Sequence, residues 1–241
     1  CGVEADGPHM VTFRVDRTLR VPAGLATPEG ERRSEETVEL RIADRISLKA
    51  GSPCLHVHTT VDNTARDHRL RVLLPTDVKS ETYYADAPFA FVERPVAVDA
   101  AGIEAKEADP VERPHHTLFG IEGAEGGLAV LCPAGLHEHS VHDDARRTLA
   151  LTLYRSFLRT VGTDGESGGQ VLGRLEFEYA LLPYRGTLDG AAVLRTLAEM
   201  QAPLQRHYSA TDIGSRSFVE IGADAAVVPS ALKPAADGDG V

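Results

Sequence analysis

Apolar and polar residues alternate along this chain in short runs, each bounded by Gly, Pro, Asp or Asn. The runs cover 11–15, 38–42, 55–61, 70–74, 89–92, 128–131, 149–153, 175–181 and 218–221. A period of two puts every second side chain on one face of an extended segment, so each run predicts a half-buried strand. Short strands separated by turn residues in this way predict an all-β fold, an antiparallel β-sandwich. One stretch departs from the period. Across 188–201, Val193, Leu194, Leu197 and Met200 fall on one helical stripe, with Asp189 placed to cap its start and Pro203 to end it. The expected organisation is a main sandwich at 1–185, a helical connection at 186–214, and the start of a further small β element at 215–241. Segments 24–36 and 100–114 read as charged loops.

The segment 55–75 is the most informative. Leu55, Val57, Thr59 and Val61 share one face of a strand, and His56, His58 and Thr60 share the other. Asp62-Asn63-Thr64 interrupts the alternation. Beyond it, Leu70, Val72 and Leu74 point one way and Arg69 and Arg71 the other, with Pro75 closing the run. This is a β-hairpin or a β-arch with a charged face. Asp62, Asn63, His68, Arg69 and Arg71 are therefore the candidate residues for an interface or a substrate cleft. The arginines admit three readings: binding of an anion or a sugar hydroxyl, a structural place on the solvent face of a strand, or anchorage of a neighbouring domain's carboxylates.

Composition narrows the function. A chain of 241 residues can bury about 70% of its unfolded surface around its own core. The net charge of −11, without a basic stripe, argues against nucleic acid and against a polybasic membrane contact. No apolar run approaches the ~20 residues of a membrane span. Cys1, Cys54 and Cys132 are widely spaced and form neither an even disulfide set nor a zinc knuckle, which points to a reducing compartment and a cytoplasmic location. Tryptophan is absent, which weakens the case for an exposed sugar-stacking platform. His137, His139 and His142, with Glu138 between the first two, are the densest metal-capable cluster. On a strand His137 and His139 would share a face and could hold zinc, but a solvated edge is the simpler reading and no metal is expected. Neither a Gly-x-Ser-x-Gly elbow nor a phosphate-binding loop occurs. No catalytic residue is assigned. The turn-like composition at 235–240, and a start at Cys1 without methionine, suggest a piece of a longer polypeptide.

Four landmarks in order resemble the C-terminal β region of glycoside hydrolase family 38, the retaining α-mannosidases, in a bacterial form. They are the run from Val61-Asp62-Asn63 to Pro75 with its His68-Arg69-Leu70-Arg71 centre; Ala87-Pro88-Phe89 followed by Glu93-Arg94-Pro95; Leu151-Thr152-Leu153-Tyr154-Arg155-Ser156; and Ser230-Ala231-Leu232-Lys233-Pro234. Gly126 to Leu131 and Gly135-Leu136-His137-Glu138 look like a strand pair of that family. The resemblance implies a galactose-mutarotase-like supersandwich that supports an N-terminal catalytic barrel of the same polypeptide. In the family the carboxylate nucleophile and a divalent metal, usually zinc, belong to that barrel, so no cofactor is implied for this chain itself. The parent it implies hydrolyses terminal α-mannosides, and self-association of the parent is open. The competing expectation is a free-standing carbohydrate-binding module. A metal-dependent or mutarotase-like hydrolase built on His137, His139 and His142 is the third.

Overall fold

The computed structural model describes residues 1–27, 30, 32–98, 110–159, 165, 167–202 and, beyond these, 205, 208, 211, 214, 215, 217, 227–229, 231–236 and 238. The strand expected at 218–221 lies outside the described residues. In chain order the strands are β1 (Gly2–Asp6), β2 (Met10–Pro22), β3 (Thr37–Lys49), β4 (Leu55–Asn63), β5 (His68–Leu74), β6 (Thr82–Ala87) and β7 (Ala90–Pro95). They continue as β8 (Arg113–Pro114), β9 (Leu118–Gly123), β10 (Gly126–Leu131), β11 (Glu138–Val141), β12 (Leu149–Ser156) and β13 (Gly173–Arg185). All pair antiparallel, in a nine-stranded sheet of order β1-β2-β3-β4-β13-β10-β9-β6-β7 and a four-stranded sheet of order β5-β12-β11-β8. The all-β antiparallel expectation holds.

The core lies where alternating apolar faces of the two sheets meet. Val57 and Val61 of β4, Phe119 and Ile121 of β9 and Val130 of β10 come from the large sheet; Val141 of β11 and Leu149, Leu151 and Leu153 of β12 come from the small one. On β4 Val57, Thr59 and Val61 are buried and His56 and His58 are half-buried on the other face, as the period of two predicts, but Thr60 of that other face is buried as well and Leu55 is only half-buried.

Strands β4 and β5 belong to different sheets, so the segment between them is an arch and not a hairpin. Asn63 shapes its first turn. The Asn63 side-chain oxygen accepts from the Ala65 backbone N–H at 3.2 Å, and its amide donates to the Val171 carbonyl. Asp67, with φ of 53°, completes the reversal in the left-handed region that Asp tolerates better than most residues.

A second local feature is a bulge in β12. Thr152 pairs with Arg71 and Tyr154 with Leu70, leaving Leu153 as an extra residue. Leu153 and Tyr154 consequently both face inward and are buried, while Arg155 is returned to the outer face. The alternation breaks in the sequence at this same Leu-Tyr pair.

The chain separates into one unit of Cys1–Leu188 and another of Asp189–Val241. The second contains α1 (Gly190–Gln201), capped as its sequence predicts: Asp189 accepts from the Ala192 N–H at 3.0 Å. Val193 and Leu197 of its expected stripe are buried. Among the described residues no helix is long and apolar enough to cross a membrane.

Candidate functional site

The outer face of the four-stranded sheet carries Arg69 and Arg71 of β5. The register sets Arg69 opposite Arg155, two like charges that repel when left alone. Glu138 of β11 lies between them. Its Oε2 is 2.6 Å from Arg155 Nη2, and its Oε1 accepts from Arg155 Nε at 3.1 Å and from Thr152 Oγ1 at 2.7 Å, and lies 3.5 Å from Arg69 Nη1. Glu112 closes the other side, 2.7 Å from Arg69 Nη2 and 3.6 Å from Arg71 Nη1. Arg71 also donates to Ser140 Oγ at 3.3 Å. Burial raises the Glu112 carboxyl, but Arg69 and Arg71 outweigh it and hold it below the usual carboxylate range. Among the described residues the face is thus a ladder in which three guanidinium groups share two carboxylates. Arg69 is exposed and Arg71 half-buried, with side-chain exposures of 29% and 26%, and both are members of the ladder.

The other three candidates point elsewhere. His68 faces inward: its Nε2 meets Tyr154 Oη at 2.8 Å, the rings stand edge to face at 5.3 Å, and burial lowers its pKa. Asn63 is 2% exposed and has both amide groups engaged within the arch. Asp62 is exposed on the outer face of the large sheet, registered between Arg41 and Arg174. The arch therefore distributes the five residues over three environments. Above it, Asp67, His68, Arg69, Arg155, Phe157 and Leu158 line an open groove of about 550 Å³. Gln170 ties two of the lining residues together, accepting from the Asp67 N–H at 3.1 Å and from Ser156 Oγ at 2.8 Å. A cationic wall beside Phe157 and Leu158 suits a ligand with a carboxylate or hydroxyl group next to an apolar part.

The histidine cluster does not assemble. His139 is fully buried, so it does not lie on the solvated edge that the sequence suggested. Its Nδ1 is 3.1 Å from Nδ1 of His115, also buried, and its ring stacks on Phe119 at 4.5 Å. Desolvation pushes His115 down to about 4 and His139 down to about 3, so both are neutral near pH 7. His137 is exposed and hydrogen-bonds the His116 carbonyl through Nδ1 at 3.1 Å, while the His142 backbone N–H donates to the Thr148 carbonyl at 2.9 Å. Among the described residues no group of three His, Cys, Asp or Glu side chains stands close enough to hold a metal ion. His115, His137, His139 and His142, as placed among the described residues, do not form a donor set that fits zinc.

One organising residue escaped the sequence reading. Asp86 is 7% exposed, and its carboxylate accepts from the His116, Thr117 and Leu118 N–H groups at 2.8 to 3.0 Å and from Thr117 Oγ1 at 2.6 Å. It ties the end of β6 to the start of β9. Its only trace in the sequence is an acid set among aromatic and small residues, in Tyr83-Tyr84-Ala85-Asp86-Ala87.

Fold and face together define a two-sheet antiparallel sandwich domain with a self-paired charged surface. The family model described as the Glycosyl hydrolases family 38 C-terminal domain matches residues 27–161, over half of the chain, and the chain belongs to that family. A curated protein of Halalkalibacterium halodurans, named a putative mannosylglycerate hydrolase, is 32% identical over 202 residues, covering 76% of this chain and 21% of its own length. The chain thus spans about a fifth of that relative. An α-mannosidase from Enterococcus faecalis superimposes with a TM-score of 0.74 at 22% identity, over 83% of this chain and 24% of its own. A family 38 protein from Enterococcus faecalis does so at 0.70 and 22% identity, over 87% and 26%. These likenesses establish the shared fold.

Proposed function

We propose that this chain is a noncatalytic C-terminal sandwich of a retaining α-mannosidase-type glycoside hydrolase. In this reading it supports a catalytic domain of the same polypeptide and shapes its cleft. The observation that carries the proposal is the match to the family's C-terminal domain, in a chain that covers only 24% of the α-mannosidase it superimposes on. The arginine face supports the same reading. Its arginines and its neighbouring groove suit a carboxylate presented by an adjoining domain, or the hydroxyl groups of an α-mannoside at the cleft rim. The substrates of the parent are α-mannosides, with mannosylglycerate among them. The divalent metal, zinc in this reading, belongs to the catalytic domain, since the histidines here do not fit it. Three unpaired cysteines accord with a cytoplasmic enzyme, and self-association of the parent through this domain is compatible with the reading.

The test is direct. The purified 241-residue chain, given zinc and an aryl α-mannoside, is expected to release no product above the buffer rate; measurable turnover overturns the proposal. Saturable calorimetric binding of mannose oligosaccharides by the same chain would instead identify a carbohydrate-binding module.

A further inference from the structure

Strand β8 is two residues long and forms an edge of the four-stranded sheet. It pairs with β11 at Pro114, opposite Glu138, and at Arg113, opposite His139, and Pro114 has no N–H to give to that ladder. Histidines supply the rest of the fastening. The His115 backbone N–H donates to the His137 carbonyl at 3.0 Å, His137 Nδ1 meets the His116 carbonyl at 3.1 Å, and His115 Nδ1 meets His139 Nδ1 at 3.1 Å. His115, His116, His137 and His139 are four of the chain's ten histidines, so one weakly paired edge is held by groups of the kind that titrate below neutrality.

In the contact between His115 and His139 one Nδ1 carries a proton and the other accepts it. The Nε2 atom of each ring is buried without a partner among the described residues. A first added proton goes to Nε2 of the donor ring and makes an imidazolium that finds no acceptor there. A second gives both rings an Nδ1–H, sets the two donors head to head and breaks the contact. The surroundings compensate little. Tyr83 of β6 and Phe119 of β9 pack against the rings, Arg94 of β7 and Arg113 of β8 add positive charge, and His116 and His137 add more when they protonate. Cys132, at the end of β10, is kept a neutral thiol by burial. Asp86 opposes them, but its oxygens are already engaged by the N–H groups of His116, Thr117 and Leu118. Protonation therefore favours an arrangement in which His115 leaves the core for water. Since β11 is also held by β12, it is the edge strand β8 that moves with it.

The same two strands carry the carboxylates of the arginine ladder on the outer face. Glu112 immediately precedes β8 and lies 2.7 Å from Arg69 and 3.6 Å from Arg71, while Glu138 stands between His137 and His139. Displacement of β8 withdraws Glu112. Arg69 then keeps Glu138 at 3.5 Å, and Arg71 keeps the Ser140 hydroxyl at 3.3 Å. We propose that the contact between His115 and His139 is a proton-operated latch: its protonation releases β8, carries Glu112 away and opens Arg69 and Arg71 to a small oxyanion. The linkage is reciprocal, so an oxyanion that displaces Glu112 also makes the histidine pair easier to protonate. The latch is a property of the 241-residue chain and stands apart from the catalytic reading above.

Sulfate, whose charge is constant between pH 5 and 7.5, is the probe, and its binding to the 241-residue chain is followed by NMR at the Arg69 and Arg71 guanidinium signals in low-salt buffer. Wild type is expected to bind about tenfold or more tightly at pH 5 than at pH 7.5, because each proton taken up contributes up to about tenfold per pH unit. Glu112→Gln removes the competing carboxylate without touching the histidines. It is expected to bind at pH 7.5 as tightly as wild type does at pH 5. A His115→Leu/His139→Leu variant should bind weakly at both. Hydrogen exchange gives a second readout, which with Glu112→Gln decides the matter even if the double variant does not fold. Protection across 112–118, corrected for the intrinsic rate, should drop about tenfold or more from pH 7.5 to 5 and lie well below that of the β4–β13 ladder at pH 5. Sulfate affinity that does not change with pH, or rises as steeply in the double variant, overturns the latch. So does Glu112→Gln binding no better than wild type at pH 7.5. Equal protection of 112–118 and the β4–β13 ladder at pH 5 also overturns it, since acid would then open the whole sandwich. Hydrolysis of an aryl α-mannoside by the same chain would overturn the functional proposal and leave the latch standing.

Discussion

At the scale of single residues, the charged face is governed by pairing rather than by exposure. Arg69, Arg71 and Arg155 look alike in the sequence as cations on alternating strand positions, yet each is held by Glu112 or Glu138. Asp86 shows the same principle in the interior, since a buried carboxylate persists only where donors surround it. Replacing Asp86 by Ala leaves three backbone N–H groups and a hydroxyl short of their acceptor. The expected cost is about 3 kcal/mol of unfolding free energy, measured by urea denaturation of the 241-residue chain against wild type. Asn63 was legible as a turn residue because Asp-Asn-Thr breaks an alternating pattern. Asp86 was not legible, because its acceptor role depends on N–H groups thirty residues further along the chain.

At the scale of elements, neighbouring strands are fastened by aromatic rings laid over glycines. Tyr84 of β6 is registered opposite Gly120 of β9, and Tyr184 of β13 opposite Gly127 of β10. The two hydroxyl groups meet at 3.1 Å across the sheet. A Cβ added at Gly127 would run into the Ile121 carbonyl and the Tyr184 ring. Gly127→Ala should therefore cost about 2–3 kcal/mol and lower the thermal midpoint by several degrees, read by calorimetry. The order β13-β10-β9-β6 could not be taken from hydrophobic periodicity, which assigns strands to faces but not to partners. The helix behaved oppositely. Asp189 and the apolar stripe act within a few residues of one another, so cap and start were readable directly.

At the scale of the whole molecule, the interior records a pH limit on folding. His115 and His139 are packed against Phe119 and Tyr83, with Asp86, Arg94, Arg113, His116 and His137 as the charged or titratable groups around them. Their folded pKa values of about 4 and about 3 lie below the ordinary value of 6.5, so in the intervening window the unfolded chain binds more protons than the folded one. Stability is at its plateau above pH 6.5 and falls as pH drops towards the folded values, by up to about 1.4 kcal/mol per pH unit for each proton taken up. Urea unfolding at pH 7.5, 6 and 5 should show this decline, and a His115→Leu/His139→Leu double variant should flatten it. The sequence by itself determined the strand periodicity, the helix and its cap, the turn at Asn63 and the family, because each is written in residues close together in the chain or in ordered landmarks. Only the tertiary structure decided that β4 and β5 form an arch between sheets, that His139 lies in the core, and that Arg69 and Arg71 are shared between two carboxylates. Those outcomes depend on which distant strands become neighbours, and that is set by the packing of two sheets of unequal width rather than by any local pattern.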